Sequence, residues 1–308
     1  GDWSSDACSS DLIANTPEIL GGQDVKKLAI NQRTPDLQNG KEEILVATSI
    51  DSGLLATKGN IKCKLVFQNE VWSINSIEAN SSEDFKLVLS PTFSEEKVIK
   101  KIRNQGLDEM VSYSDFFGGE GFNVKDKYTK NINISDKIFD AKKRTLNVTA
   151  KRENIAGKIK SVLSTKYTFS ISLSNISLLN GSKTTVDSGT INNIPESLII
   201  SSITNGEIEG SNLLFWWSNN HKITIEEAKT FKTNKTISTK GFQNIKYVFG
   251  NITYKEDKKS KTKDSNVSIV VIYFLVYDDI NGYNWKPNKL IGEDSPNYKT
   301  YINLAKNQ

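Results

Sequence analysis

Apolar and polar residues alternate along much of this chain with a period of two, the repeat of a strand that buries one face. In Tyr167-Thr168-Phe169-Ser170-Ile171-Ser172-Leu173 the odd positions are apolar and the even ones carry hydroxyls. Ile61, Cys63, Leu65 and Phe67 keep a similar phase against Lys62 and Lys64. The pattern predicts a first strand over Val25–Asn31, a neighbouring pair over Glu43–Ile50 and Ile61–Phe67, and a third over Trp72–Ile77 beyond the polar turn Gln68-Asn69-Glu70. Phe85–Leu89 adds a short strand. Ile132–Ile138, Thr145–Lys151 and Val162–Leu173 form a second group, and Lys222–Ala228, Tyr247–Tyr254 and Ile269–Tyr277 a third. Ile269–Tyr277 has no polar residue on either parity, so this strand is expected to be covered on both faces. The run Lys255–Lys263 between the last two strands is densely charged and reads as a solvated loop.

The period changes once. Ser94-Glu95-Glu96-Lys97-Val98-Ile99-Lys100-Lys101-Ile102-Arg103 offers a Ser N-cap, an acidic first turn and apolar residues at helical spacing, with Gly106 as its stop. Two hairpins also look alike. Trp72 follows the 68–70 turn, and Trp285 follows Asp278-Asp279-Ile280-Asn281-Gly282, about two hundred residues later. The likeness predicts a β-rich module used more than once. The expected class is α+β, predominantly antiparallel β, in tandem small modules of curved sheet with an occasional packed helix. The boundaries are 13–92, a helix-plus-sheet module at 93–180, and 181–308, with the relation of the last to the others left open. With Trp72 in a core, Trp72→Ala is expected to cost about 3–5 kcal/mol.

Residues 1–12 are set apart. Cys8-Ser9-Ser10-Asp11-Leu12 is what the end of a common sequencing adapter encodes, and Ser-Ser-Asp occurs twice in a row. The stretch is read as translated adapter from an assembled metagenome and excluded from the fold, and the genuine N-terminus is expected to lie upstream.

Composition narrows the function classes. The 40 basic and 36 acidic residues leave a net charge of +4, a mixed surface without a strong polyanion signature. Arg33, Arg103, Arg144 and Arg152 are the only arginines; bidentate reading of bases and phosphates favours Arg, so no nucleic-acid partner is expected. A single histidine, His221, in the polar segment Ser218–Lys222, leaves no paired-His metal site. Two cysteines, Cys8 and Cys63, form no CxxC motif, and Cys63 falls in phase with a buried row. No metal and no cofactor is expected.

No catalytic constellation emerges. Glu42-Glu43, Glu95-Glu96, Glu226-Glu227 and Asp278-Asp279 are adjacent pairs, and neighbours on a strand point to opposite faces. Glu95-Glu96 fits the helix dipole. Gly118-Gly119-Glu120-Gly121 lacks the helix that a phosphate cradle requires. Asp278–Gly282 lacks the alternating acids and distal Glu of a calcium loop, and Asn281-Gly282 is a hairpin signal. Only Phe215-Trp216-Trp217 invites a ligand. Trp216 and Trp217 are the candidate binding residues, as a platform for sugar rings, against the alternative of core packing.

The segment Lys27-Leu28-Ala29-Ile30, then Lys64-Leu65-Val66-Phe67-Gln68-Asn69-Glu70-Val71-Trp72-Ser73-Ile74-Asn75-Ser76-Ile77, then Ser94–Ile102 resembles the tandem extracellular repeats of membrane-anchored proteins in Gram-positive bacteria, which are cystatin-like or NTF2-like. The resemblance implies a helix packed on a curved antiparallel sheet, with Trp72–Ile77 as a closing strand and Ser94–Ile102 as the next opening helix. It carries no catalytic residue. It implies a non-enzymatic cell-envelope or secreted protein, a lipoprotein or membrane-anchored at the cell surface, whose modules bind or space. The implied partners are a cell-wall or surface glycan or another envelope protein. The alternative is a secreted carbohydrate-binding or carbohydrate-degrading β-protein that uses Trp216 or Trp217.

Overall fold

The computed structural model describes residues 27–81, 84–118, 120–204, 206–209, 220–258 and 261–307. It is mostly antiparallel β-sheet in several sheets, 61% strand against 16% helix. Contacts group the chain into two units, each drawn from three stretches. The first joins residues 1–105, 133–150 and 165–183; the second joins 106–132, 151–164 and 184–308. Each unit takes in chain from the first or last third and from the middle of the sequence.

The first unit opens with β1 (Lys27–Asp36), β2 (Lys41–Asp51), β3 (Leu55–Gln68) and β4 (Val71–Ala79), a meander in that order, with β5 (Val88–Leu89) also paired to β3. Register aligns Ile44 with Cys63 and Cys63 with Ile77, so one face is a row of apolar side chains. Ile44, Val46, Ile50, Ile61, Cys63 and Leu65 are buried there. The other face is polar, with ion pairs Lys62–Glu43 at 3.6 Å and Lys64–Glu78 at 2.9 Å. β3 and β4 are linked by Asn69 and Glu70, both at positive φ, a two-residue turn whose twist suits a hairpin. Phe85–Leu89 contributes only Val88–Leu89 as strand, because the chain at Asp84 and Phe85 crosses over Gly59, where a Cβ would lie 2.8 Å from both. Helix α1 (Glu95–Asn104) forms as expected and buries Val98 and Ile102. Ser94 holds the N-cap position without a side-chain cap bond, so the acidic first turn carries the start.

Next come β6 (Glu109–Ser112), a one-turn helix α2 (Ser114–Phe117) and β7 (Gly121–Val124), with β6 and β7 paired. Then β8 (Thr129–Asp140), β9 (Thr145–Ala156) and β10 (Ile159–Ile171) lie side by side, with β11 (Ile176–Gly181) and β12 (Thr185–Ile191) along opposite halves of β10. Alternation is strict on β9 and β10: Leu146, Val148, Ala150, Arg152, Asn154 and Ala156 are buried, as are Ile159, Leu163, Phe169 and Ile171.

In the second unit, α3 (Glu196–Ile203), β13 (Glu207–Glu209), β14 (Asn220–Lys222), α4 (Ile225–Lys229), β15 (Lys232–Thr239), β16 (Phe242–Lys258), β17 (Lys261–Asp278), β18 (Gly282–Gly292) and α5 (Tyr298–Lys306) follow. Their six strands run in the order β14-β13-β18-β17-β16-β15, antiparallel except for β13 beside β18. β17 is covered on both faces, as its sequence demands. Ile269, Val271, Tyr273 and Leu275 join a core with Ile199 and Ile203 of α3 and Ala228 of α4. Val270 and Ile272 join a second core capped by Tyr298, Tyr301, Ile302 and Leu304 of α5.

Two expectations fail here. Lys222–Ala228 is not a strand: Thr224 and Glu227 form a reciprocal capping box that starts α4. The charged run Lys255–Lys263 is not a free loop, because β16 continues to Lys258 and β17 begins at Lys261. Register sets Lys255 opposite Asp264, and residues of opposite charge facing each other across a ladder favour its extension.

Candidate functional site

Trp216 and Trp217 lie outside the described residues. His221 belongs to β14, opposite Ile208, and so occupies a regular strand instead of the irregular segment its polar neighbours implied.

The adjacent carboxylates serve local structure. Glu42 is buried and takes two hydrogen bonds from Arg33, Nε to Oε1 at 2.7 Å and Nη2 to Oε2 at 3.2 Å. Glu43 projects to the polar face toward Lys62. Glu95 pairs with Lys137, and Glu227 closes the α4 capping box. Asp278 Oδ1 accepts from the backbone N–H groups of Ile280 (3.0 Å) and Asn281 (2.7 Å). The Asn281 amide, first among these bonds, holds the Asp278 carboxyl below the usual carboxylate range. This pattern shapes a β17–β18 turn. Gly118 sits at positive φ as the C-cap of α2.

Among the described residues no group of three or more His, Cys, Asp and Glu side chains is placed to hold a metal ion. Cys63 is fully buried, and burial pushes its thiol up to about 11. At neutral pH it is a protonated core residue.

What the second unit brings together instead is a set of polar anchors. Trp285 is 3% exposed, and its Nε1–H donates to the carbonyl of Asn192 at 2.9 Å. Lys246 lies 5.2 Å from the centre of the Trp285 ring and donates from Nζ to Asn193 Oδ1 at 2.8 Å. Burial lowers the Lys246 amine from its ordinary value, because the cation is partly stripped of water. Tyr283 OH accepts from the Asn123 N–H at 2.7 Å. Arg152, 5% exposed, donates to the Leu107 carbonyl at 2.7 Å and pairs with Glu109, which also accepts from Thr184 at 3.0 Å. Trp285, Lys246 and Arg152 tie irregular connections to sheets, and Tyr283 ties β18 to β7. None of these residues was marked as a site by sequence reasoning. The signal existed: Lys246 is in phase with buried Val248 and Ile252, and Arg152 with buried Val148 and Ala150. A charge inside a buried row must find a partner.

The surface carries shallow depressions. In the first unit, Ala29, Asn31, Ala47, Thr48 and Asp84 line about 550 Å³. A second there lies beside α1. In the second unit, Tyr113, Thr190, Ile191, Lys240 and Gln243 line about 480 Å³. No helix among the described residues is long and apolar enough to cross a membrane.

A scan against protein-family models finds no match, and a comparison with curated proteins finds none similar in sequence.

Proposed function

We propose that this chain is a non-enzymatic binding or spacing protein of the bacterial cell envelope, built from small β-rich modules that display surfaces instead of enclosing a reaction centre. The observation that carries this reading is how its most reactive side chains are used. Trp285, Lys246 and Tyr283 spend their polar groups on backbone or amide partners, and Arg152 on the Leu107 carbonyl and the Glu109 carboxylate, all within one unit. Three of them fasten irregular connections to sheets and Tyr283 joins two strands. The likeness of residues 25–103 to cystatin-like extracellular repeats supports the location and the modular organisation, and a meander with one apolar face in that region is in keeping with it.

The test is retention on purified Gram-positive cell walls. The chain, labelled with a fluorophore, should sediment with washed walls and release no reducing sugar from them. A glycan array run beside it with Trp217→Ala separates the carbohydrate reading. Glycan binding that vanishes in this variant, or sugar release above a no-protein control, would defeat the proposal as stated.

A further inference from the structure

Lys97, Lys100, Lys101 and Asn104 recur on α1 at i, i+3, i+4 and i+7, which places them on one stripe of the helix. A different stripe, Val98 and Ile102, anchors the helix in the core of its unit. The lysine stripe lines a groove of about 350 Å³ whose other wall is Leu54, the Ser174-Asn175 turn after β10 and Ile176 at the start of β11, all within the first unit. Lys97 Nζ lies over the Gly53 turn, 3.7 Å from where a Cβ there would sit.

The three ammonium groups have no protein counter-ion among the described residues. None of them forms an ion pair within 4.0 Å among the described residues. Of the neighbouring carboxylates, Asp51 accepts from Gly53 N–H and Ser90 Oγ, Glu95 pairs with Lys137, and Glu96, four residues before Lys100, comes within 4.0 Å of none of the three lysines among the described residues. Like charges at three- and four-residue spacing disfavour a helix. The negative end of the helix dipole accounts for Lys101 in the last turn; it does not account for Lys97, one turn earlier. The groove also offers the Ser174 hydroxyl and the Asn104 carboxamide as donors.

We propose that this groove binds a soluble phosphate-bearing polyanion, with Lys97, Lys100 and Lys101 as its charge contacts. Lysine acts on phosphate as a point charge, and three on one stripe suit an anion carrying more than one phosphate. A lipid headgroup is the weaker occupant: the apolar lining residues Leu54 and Ile176 are buried and offer nothing to insert into a bilayer. This site stands apart from the chain's location or modular role, so its failure would leave the preceding proposal untouched.

The test is calorimetric titration of the full chain with tripolyphosphate at low salt. One variant carries Lys97→Gln, Lys100→Gln and Lys101→Gln. A control carries Lys142→Gln, Lys166→Gln and Lys183→Gln, three exposed lysines away from the groove. Both sets lower the net charge of +4 by the same amount, and unchanged circular dichroism verifies the fold. Three exposed ion pairs should together account for about a tenfold loss of affinity in the first variant, with the control near wild type. Equal weakening in both would show unspecific charge attraction and overturn the site. So would the absence of binding at millimolar tripolyphosphate. Sedimentation with phosphatidylglycerol vesicles that tripolyphosphate fails to compete would overturn the choice of a soluble ligand.

Discussion

The β3–β4 hairpin of the first unit and the β17–β18 hairpin of the second share a turn followed closely by a Trp, yet the two indoles are in different surroundings. Trp72 is half-buried and packs against Phe67, directly across the strand, with ring centres 5.3 Å apart. Trp285 is 3% exposed, lies opposite Leu275, and is held by the Asn192 carbonyl and the Lys246 ammonium. The cause is the position of the strand. β4 ends the order of its meander and covers one apolar face. β18 pairs with β17 along its length, meets Gly157 at Tyr283 and β13 at Leu290 and Ile291, and sends apolar residues into two cores. A turn–Trp motif fixes where an indole starts, and the neighbours of its strand decide how much of it is buried.

The comparison predicts unequal costs. Trp285→Ala should destabilise by about 3–5 kcal/mol, since it empties a core site and leaves the Asn192 carbonyl without a donor. Trp72→Ala should cost about 1–2 kcal/mol, less than a full core truncation because half of the ring is already wet. Urea unfolding of both variants measures this, and equal losses would break the argument. The turns differ in the same sense. Gly282 sits at φ +74°, and a Cβ there would lie 2.7 Å from the Ala156 carbonyl carbon and 2.8 Å from the Gly157 nitrogen. Gly282→Ala should therefore cost about 1–3 kcal/mol. In the other hairpin Glu70 occupies positive φ with a side chain. Glu70→Gly should stabilise by about 0.5–1 kcal/mol, a change of opposite sign in the same assay.

The strands were legible where period and burial agree. The alternation in β2, β3 and β10 and the unbroken apolar run of β17 predicted which faces are covered. The α1 helix was legible from its spacing and acidic first turn. Short helices were not. α3 and α4 carry too few residues for a period to show, and the reciprocal Thr224–Glu227 bonds that start α4 depend on side-chain geometry. The charged β16–β17 extension was missed because charge density alone reads as loop; pairing Lys255 with Asp264 depends on register, a long-range property. The lysine groove was half legible. The stripe on α1 is in the sequence, but its far wall comes from residues 174–176, about seventy positions away, and only the fold brings it near. Trp216 and Trp217, the candidate binding residues of the sequence, lie outside the described residues.

The smallest effect concerns the charge beside Trp285. Lys246 is 9% exposed, with Asn193 Oδ1 and the indole face as neighbours and Tyr273 as its cross-strand partner on β17. Its amine is lowered from 10.5 by burial, so the unfolded chain binds this proton more tightly than the folded one. Below the depressed folded value the full cost of burying the cation is present. As pH climbs from that value toward 10.5 the cost is relieved, and stability should rise. Tyr273 acts with the other sign. Burial raises its phenol from 10.0 to about 12, so the folded state holds that proton longer; its contribution is intact below 10 and is lost as pH climbs toward 12. The wild-type curve should therefore gain stability through the alkaline range and then fall. Lys246→Met preserves much of the stem, removes the titrating cation and also removes the Asn193 bond, so its level at neutral pH reflects two opposed changes of about 1 kcal/mol each. The slope does not mix them. The rising limb should flatten by a few tenths of a kcal/mol or more, with the fall above pH 10 retained. Melting temperatures of both proteins at half-unit steps from pH 7 to 11 check this, and superimposable slopes would mean that Lys246 is hydrated as fully in the folded chain as in the unfolded one.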